Sequence, residues 1–427
     1  MKKRPLLVSG VLLSLLLCLG VSTVFAQQYQ VKSDTLMRVY QRDTLTATDV
    51  SVLPLYEYLR ADVEVAGVEE LSFHLYGWGR SDLGDGNYFE DDTEAKLLYG
   101  YVDYRRDTAN LLVRIGRQYV FSSIVNESLD GALIHADLGP MASFTAYGGL
   151  PVALDSVNNR TGDVLYGGRF SLHRGTLYDL GLAYKKSQND SETFQERLGV
   201  DLSLGLPIGV QFNGLSVHNV DSRGWAEHSY ELRIPAGSFT FRPYFQSFVY
   251  ADYFGTSASG VSLFNALAAR GDANLSILGG DLNWYSGGRV SAGLKVKSIS
   301  NDSNAEDAVY TGGLLSLFGK GMNEVGAEFG YMDGDSDDNS YLLARAYFYL
   351  NRLPRLAAGA FLSGDLVYAL YDEPIYNEDF SLFASLGLGM AILQDRLQIK
   401  LSGDYSQDPY FDKDMRGMLV VSYLFGR

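Results

Sequence analysis

Stretches in which apolar and polar side chains alternate strictly recur along almost the whole chain, and this repetition constrains the fold more than any single motif does. Between Leu53 and Val65, the side chains of Leu55, Leu59, Ala61, Val63 and Val65 share one face, while Tyr58, Arg60, Asp62 and Glu64 share the other. Val290, Ala292, Leu294 and Val296 likewise oppose Ser291, Gly293, Lys295 and Lys297. A period of two is the signature of a strand with one greasy and one wet side. About 21 such segments of roughly ten residues can be counted, more than a soluble sandwich or a small barrel uses, and each can cross a bilayer when tilted. Beyond Ala26 no apolar run reaches the roughly 18 residues that a membrane helix needs. Closed sheets span membranes without such runs, because every backbone N–H and C=O is paired to a neighbouring strand.

The connections strengthen this reading. Short turns fall near residues 106–108, 139–140, 174–176, 206–209, 235–237, 286–288, 319–321, 351–354 and 394–395. Longer polar segments fall between them, at 152–163, 187–193, 219–224, 252–272, 301–307, 334–340, 372–379 and 407–414. Outer-membrane barrels have this asymmetry, with short turns on the periplasmic side and long external loops. Both ends of such a chain lie on one side, which requires an even number of strands. A weakly alternating segment, 35–43, brings the total to about 22, and losing it with one other would leave about 20.

At the other end of the chain, Leu419, Val421, Tyr423 and Phe425 alternate to the terminus. An open edge this apolar would be left unpaired, so it is expected to meet the first strand and close the ring. The expected fold is therefore all-β: a single transmembrane antiparallel β-barrel of about 20–22 strands, with short periplasmic turns, long external loops and no plug domain. The domain reading is a signal peptide over residues 1–26, an N-terminal lead-in with a candidate first strand over 27–52, and the barrel over 53–427.

Lys2, Lys3 and Arg4 precede an apolar run from Leu6 to Leu19, and Val24-Phe25-Ala26 supplies the cleavage positions of an export signal. Its removal takes away Cys18, the one cysteine, so no disulfide or thiolate metal site is expected downstream. Losing three of the 35 basic residues and none of the 51 acidic ones leaves a formal charge of −19, which argues against nucleic acid as a partner.

The segment Val-Arg-Ile-Gly-Arg-Gln from Val113 to Gln118, then Glu-Ser-Leu-Asp-Gly from Glu127 to Gly131 and Ala-Tyr-Gly-Gly-Leu-Pro from Ala146 to Pro151, resembles the porin-like and alginate-export-like barrels of Gram-negative outer membranes. The last strand is similar to the closing strand that such barrels present to their assembly machinery, although Gly426 and Arg427 follow Phe425 where that family ends on its aromatic. The resemblance implies an outer-membrane location, lipid and lipopolysaccharide as surroundings, and the barrel-assembly machinery as a partner of the C-terminal strand. It implies a channel for passive diffusion of small hydrophilic solutes. Two alternatives stay open: a structural sheath around multihaem cytochromes of an electron conduit, and a polysaccharide export channel, for which Arg114, Arg242 and Arg345 would form a basic constriction.

The candidate functional residues are charges expected to line the lumen: Arg60, Arg80, Arg114, Arg169, Arg197, Arg233, Arg242, Lys295, Lys297 and Arg345, with Asp201, Glu231, Asp281 and Glu328. Charged rings and ladders of this kind select ions in channels. Within the longest loop, Leu263, Phe264 and Leu267 have helical spacing and precede Arg270, so this loop is expected to fold back as a constriction or to cap its neighbours. Aromatics near strand ends, among them Tyr56, Trp78, Tyr99, Tyr101, Tyr166, Tyr184 and Trp225, are expected in interfacial girdles. No cofactor, metal or catalytic site is expected. The acidic run from Asp333 has Asp338 where a calcium loop needs glycine, the five histidines are scattered, and no phosphate loop or nucleophile elbow is present.

Overall fold

The structure is a computed structural model that describes residues 26–43, 48–85, 88–152, 163–254, 274–302, 306–321, 323–335, 340–351 and 359–426. Twenty-two antiparallel strands, of nine to 17 residues each, form one sheet in chain order. A three-residue strand, Val50–Val52, pairs only with the end of the first, at Tyr40 to Arg42. The first strand, Ala26–Arg42, lies between Pro54–Val65 on one side and the last strand, Phe411–Gly426, on the other. Its register with the last strand runs from Gln30 opposite Gly426 to Val39 opposite Gly417. The last strand thus meets the first, and the ring is closed. The closed all-β barrel expected from the alternation is the architecture observed.

Two local expectations are corrected. The first strand begins at Ala26 instead of Thr35 and includes much of the stretch read as a lead-in. Polar segments at 187–193, 372–379 and 407–414 are strand ends rather than loops, because pairing continues to Asn189 opposite Glu192, Ile375 opposite Glu378 and Asp408 opposite Phe411. Asp190 and Ser191 close the first of these with φ of 50° and 68°, and Tyr376 and Asn377 close the second with φ of 50° and 68°. Two consecutive left-handed residues match the right-handed twist of the flanking strands. Beyond the bilayer both faces of a strand are wet, so hydropathy stops alternating while the hydrogen-bond ladder goes on. That is why these strand ends resemble loops in sequence.

Glu57 joins the first strand to Pro54–Val65 on one face: its carboxylate accepts hydrogen bonds from Ser33 (2.5 Å) and Thr35 (2.6 Å). This is the same face as Leu55 and Leu59, and the two hydroxyls offset part of the cost of holding a carboxylate there.

Candidate functional site

One hairpin identifies the inside of the ring. The strands Leu111–Ser122 and Val125–Asp137 pair with each other out to Ser122 opposite Val125. Yet among the described residues the first pairs with its preceding neighbour only as far as Arg117 opposite Gly100, and the second with its following neighbour as far as Leu129 opposite Pro151, where Val152 N–H adds one bond to the carbonyl of Ser128. Residues 118–128 therefore form a two-stranded finger that has left the wall. Val120 and Val125 of the finger and Leu129 at its base pack on Tyr147 and Leu165 of the next two strands. Ile124 at its tip joins Ala183, Val217 and Ala226, three to six strands round the ring from the finger's second strand, in a second buried cluster. It sits so close to Gly199 that any side chain at that position would collide with it. Contacts between segments this far apart around a closed ring can pass only through its interior. Ala183, Gly199 and Val217 thus face the lumen, and strand register carries that assignment to every other strand.

The finger departs at a junction built from the segments that resemble the porin-like barrels. Gly116 has φ of 128°, and a side chain on it would strike the carbonyl of Gly100, so only glycine fits where the strand turns away. Arg117 clamps Asp130 with two parallel hydrogen bonds, both 2.7 Å, and donates a third, of 3.0 Å, to the carbonyl of Leu97. That carbonyl belongs to the strand from which the finger has just separated, so the guanidinium takes over a bond that the sheet no longer makes. Gln118, fully buried, donates to the carbonyl of Gly131 at 3.2 Å.

By register, all 14 charged candidates lie on the lumen side. Most are already paired there. Arg60 meets Asp62 at 2.8 Å, Arg80 meets Glu94 at 3.1 Å, and Arg114 clamps Asp103 at 2.7 and 2.8 Å. Arg169 bridges Asp179 and Asp201, each at 2.5 Å. Arg242 pairs with Asp281 and lies 3.6 Å from Glu231, while Arg345 pairs with Asp365. Lys295 stands opposite Asp281 in the register, Lys297 lies over the ring of Tyr310 at 5.1 Å, and Glu328 accepts from the hydroxyl of Tyr310 at 3.4 Å. Arg197 is buried and donates to the carbonyl of Tyr253, and Arg233 lies opposite Gln211 close to the short-turn end. The basic constriction that the export alternative assigned to Arg114, Arg242 and Arg345 does not arise from these three, since a carboxylate neutralises each.

Between the finger and the wall is a cavity of about 830 Å³, into which Thr145, Arg169, Asp201 and Glu227 project. Lys185 is buried there, held by Glu127 of the finger and by Gln195 at 2.8 Å. Sequence reasoning missed the finger, because its strands alternate as the rest do. The expected constriction residues Leu263, Phe264, Leu267 and Arg270 lie outside the described residues.

The expectation of interfacial girdles is corrected for Tyr310 and Tyr349, which share the lumen face with Lys297 and Arg345, and for one group on neighbouring strands. Tyr166, Tyr184, Trp225 and Trp284 lie on the outer face, but Tyr56, Trp78, Tyr99 and Tyr101 face the lumen with Tyr58 and Tyr76. On three adjacent strands, Pro54–Val65, Leu71–Asp82 and Thr93–Arg106, these rings form one connected row. Neighbouring centroids are 5.4 to 6.3 Å apart, and His74 ends the row 4.9 Å from Tyr101. Tyr56 and Tyr58 share parity with Arg60 and Asp62, which was the signal available in the sequence. Trp78 likewise shares parity with His74 and Tyr76, whereas on the next strand a bulge at Leu98 changes the parity between Tyr99 and Lys96.

No protein-family model and no curated protein matches the chain. Among solved structures it is similar to the outer membrane protein OpdK of Pseudomonas aeruginosa, at 12% identity over 94% of this chain and 100% of that one, with a TM-score of 0.45. It is similar also to OccK8 (OprE) of the same organism, at 10% identity over 93% and 98% of the two chains, with a TM-score of 0.48. OccAB4 of Acinetobacter baumannii aligns at 10% identity over 94% and 98%, with a TM-score of 0.48.

Proposed function

We propose that this barrel is an outer-membrane channel through which small hydrophilic solutes diffuse passively. The observation that carries the reading is the division of the wall. Aliphatic and aromatic side chains such as Leu182, Val200, Leu294 and Leu401 stand exposed on the outer face, and the opposite face carries charged pairs around the circumference. A ring of 22 strands encloses more space than its own side chains fill. The finger narrows this lumen without filling it: Phe121, 80% exposed, projects from the side of the finger opposite its buried cluster.

A cytochrome sheath is less well supported, because the finger occupies space across the inner wall where a folded partner would have to pass. Purified protein reconstituted in planar bilayers tests the channel. Stepwise currents in simple salt are expected, and a correctly folded preparation that gives none would overturn the proposal.

A further inference from the structure

From the aromatic row we infer a binding track for neutral saccharides, a deepening that rests on the channel reading. Tyr56, Tyr58, Trp78, Tyr76, Tyr99 and Tyr101 descend along the lumen from the loop end toward the Asp103–Arg114 pair. From Tyr56 to the level of Asp62, opposite His74, the track covers about 20 Å of strand. Among the described residues the finger seats on other strands, so the rings, partly covered by one another and by Arg114 and Lys96, keep part of their π-faces toward the lumen, where solvation of an apolar surface is costly. A ligand that lays apolar C–H faces on them would repay it, and a sugar ring presents such faces with hydroxyls at its rim.

The polar groups beside the track decide the ligand's charge. Arg60 and His74 share Asp62 at 2.8 and 2.6 Å, Arg114 clamps Asp103 while lying 4.0 Å from the centroid of Tyr101, and Arg80 and Lys96 both meet Glu94. Arg60, Arg80, Lys96 and Arg114 share three carboxylates, Asp62, Glu94 and Asp103, so the track offers hydrogen-bond donors and acceptors side by side. A neutral polyhydroxylated chain can use both kinds of group, because each hydroxyl donates and accepts. The spacing of the rings lets successive units of a linear saccharide find successive faces.

The test uses the full-length folded barrel and two probes, a linear hexamer of glucose and benzoate. In planar bilayers the hexamer is expected to interrupt the current reversibly and benzoate to leave it unchanged. Replacing Tyr76 and Tyr99 together by Ala should raise the half-blocking concentration about tenfold or more, whereas Tyr76→Phe with Tyr99→Phe, which keeps both π-faces, should stay within about twofold. Hexamer-induced change in tryptophan fluorescence, lost in Trp78→Phe, reads binding in detergent without any current. Binding without conductance would leave the track standing and remove the channel. Conductance with no hexamer block and no fluorescence change, or block by benzoate alone, would overturn the saccharide inference and leave the channel intact.

Discussion

Two parts of the inner wall, built from strands with the same period, are used in opposite ways. Where the tip of the finger seats, the wall presents Ala183, Gly199, Val217 and Ala226 in a buried apolar cluster; across the strands from Pro54 to Arg106 it presents large rings and ion pairs. The difference shows that a lumen-facing position is not by itself a solvent-facing one. A β-wall that must seat an inward hairpin needs room for its tip, and the small side chains supply that room. A wall left bare can carry bulk, because nothing has to approach it.

The comparison breaks most sharply at Gly199. Gly199→Leu places a side chain where Ile124 sits, and overpacking of this kind costs about 1–3 kcal/mol or drives the intruder out. Displacement of the finger is the expected result, read as a single-channel conductance several times the wild-type value. Unchanged conductance in a folded variant would show that the finger does not limit the pore. Ile124→Ala attacks the same contact from the other side. Removing a buried aliphatic costs about 2–4 kcal/mol at most, so the tip should undock part of the time and the current should become noisy without a change in its maximum.

The junction is sharpened by Arg117→Ala, which leaves Asp130 and the carbonyl of Leu97 without their partner. A loss of about 1–3 kcal/mol is expected from two orphaned polar groups, seen as a lower unfolding midpoint in urea. Asp130→Asn should lose less, because the amide oxygen still accepts one hydrogen bond from the guanidinium. If the two variants were equally stable, the clamp would not be what holds the junction. The smallest effect belongs to the bare wall. Arg345→Gln frees Asp365, and the reversal potential under a salt gradient should move slightly toward cation preference with stability nearly unchanged. A shift toward anions would contradict the pairing.

Much of this architecture was legible in the chain. Leu419, Val421, Tyr423 and Phe425 announced a closing strand, and the parity of Arg60 and Asp62 against Leu59 and Ala61 assigned their faces correctly. Parity also placed Arg114, Arg242 and Arg345, because in a closed sheet a side chain has only two directions to point. The carboxylates that neutralise them were harder to see. Asp103 and Arg114 are 11 residues apart, but Arg242 and Asp281 are 39 apart, and only the register brings them together.

The sequence by itself determined the ring: alternation set the two faces, turn chemistry set the hairpins, and an apolar last strand required a partner at the start. Only the tertiary structure decided that residues 118–128 leave that ring and that six aromatics from three strands line up within it. The reason is physical. Alternation records which side of a strand is greasy, and it does so equally well whether the greasy side meets lipid, as at Leu198, or the inside of the same barrel, as at Val120. What distinguishes the two is the neighbour across space, and a period of two carries no information about that.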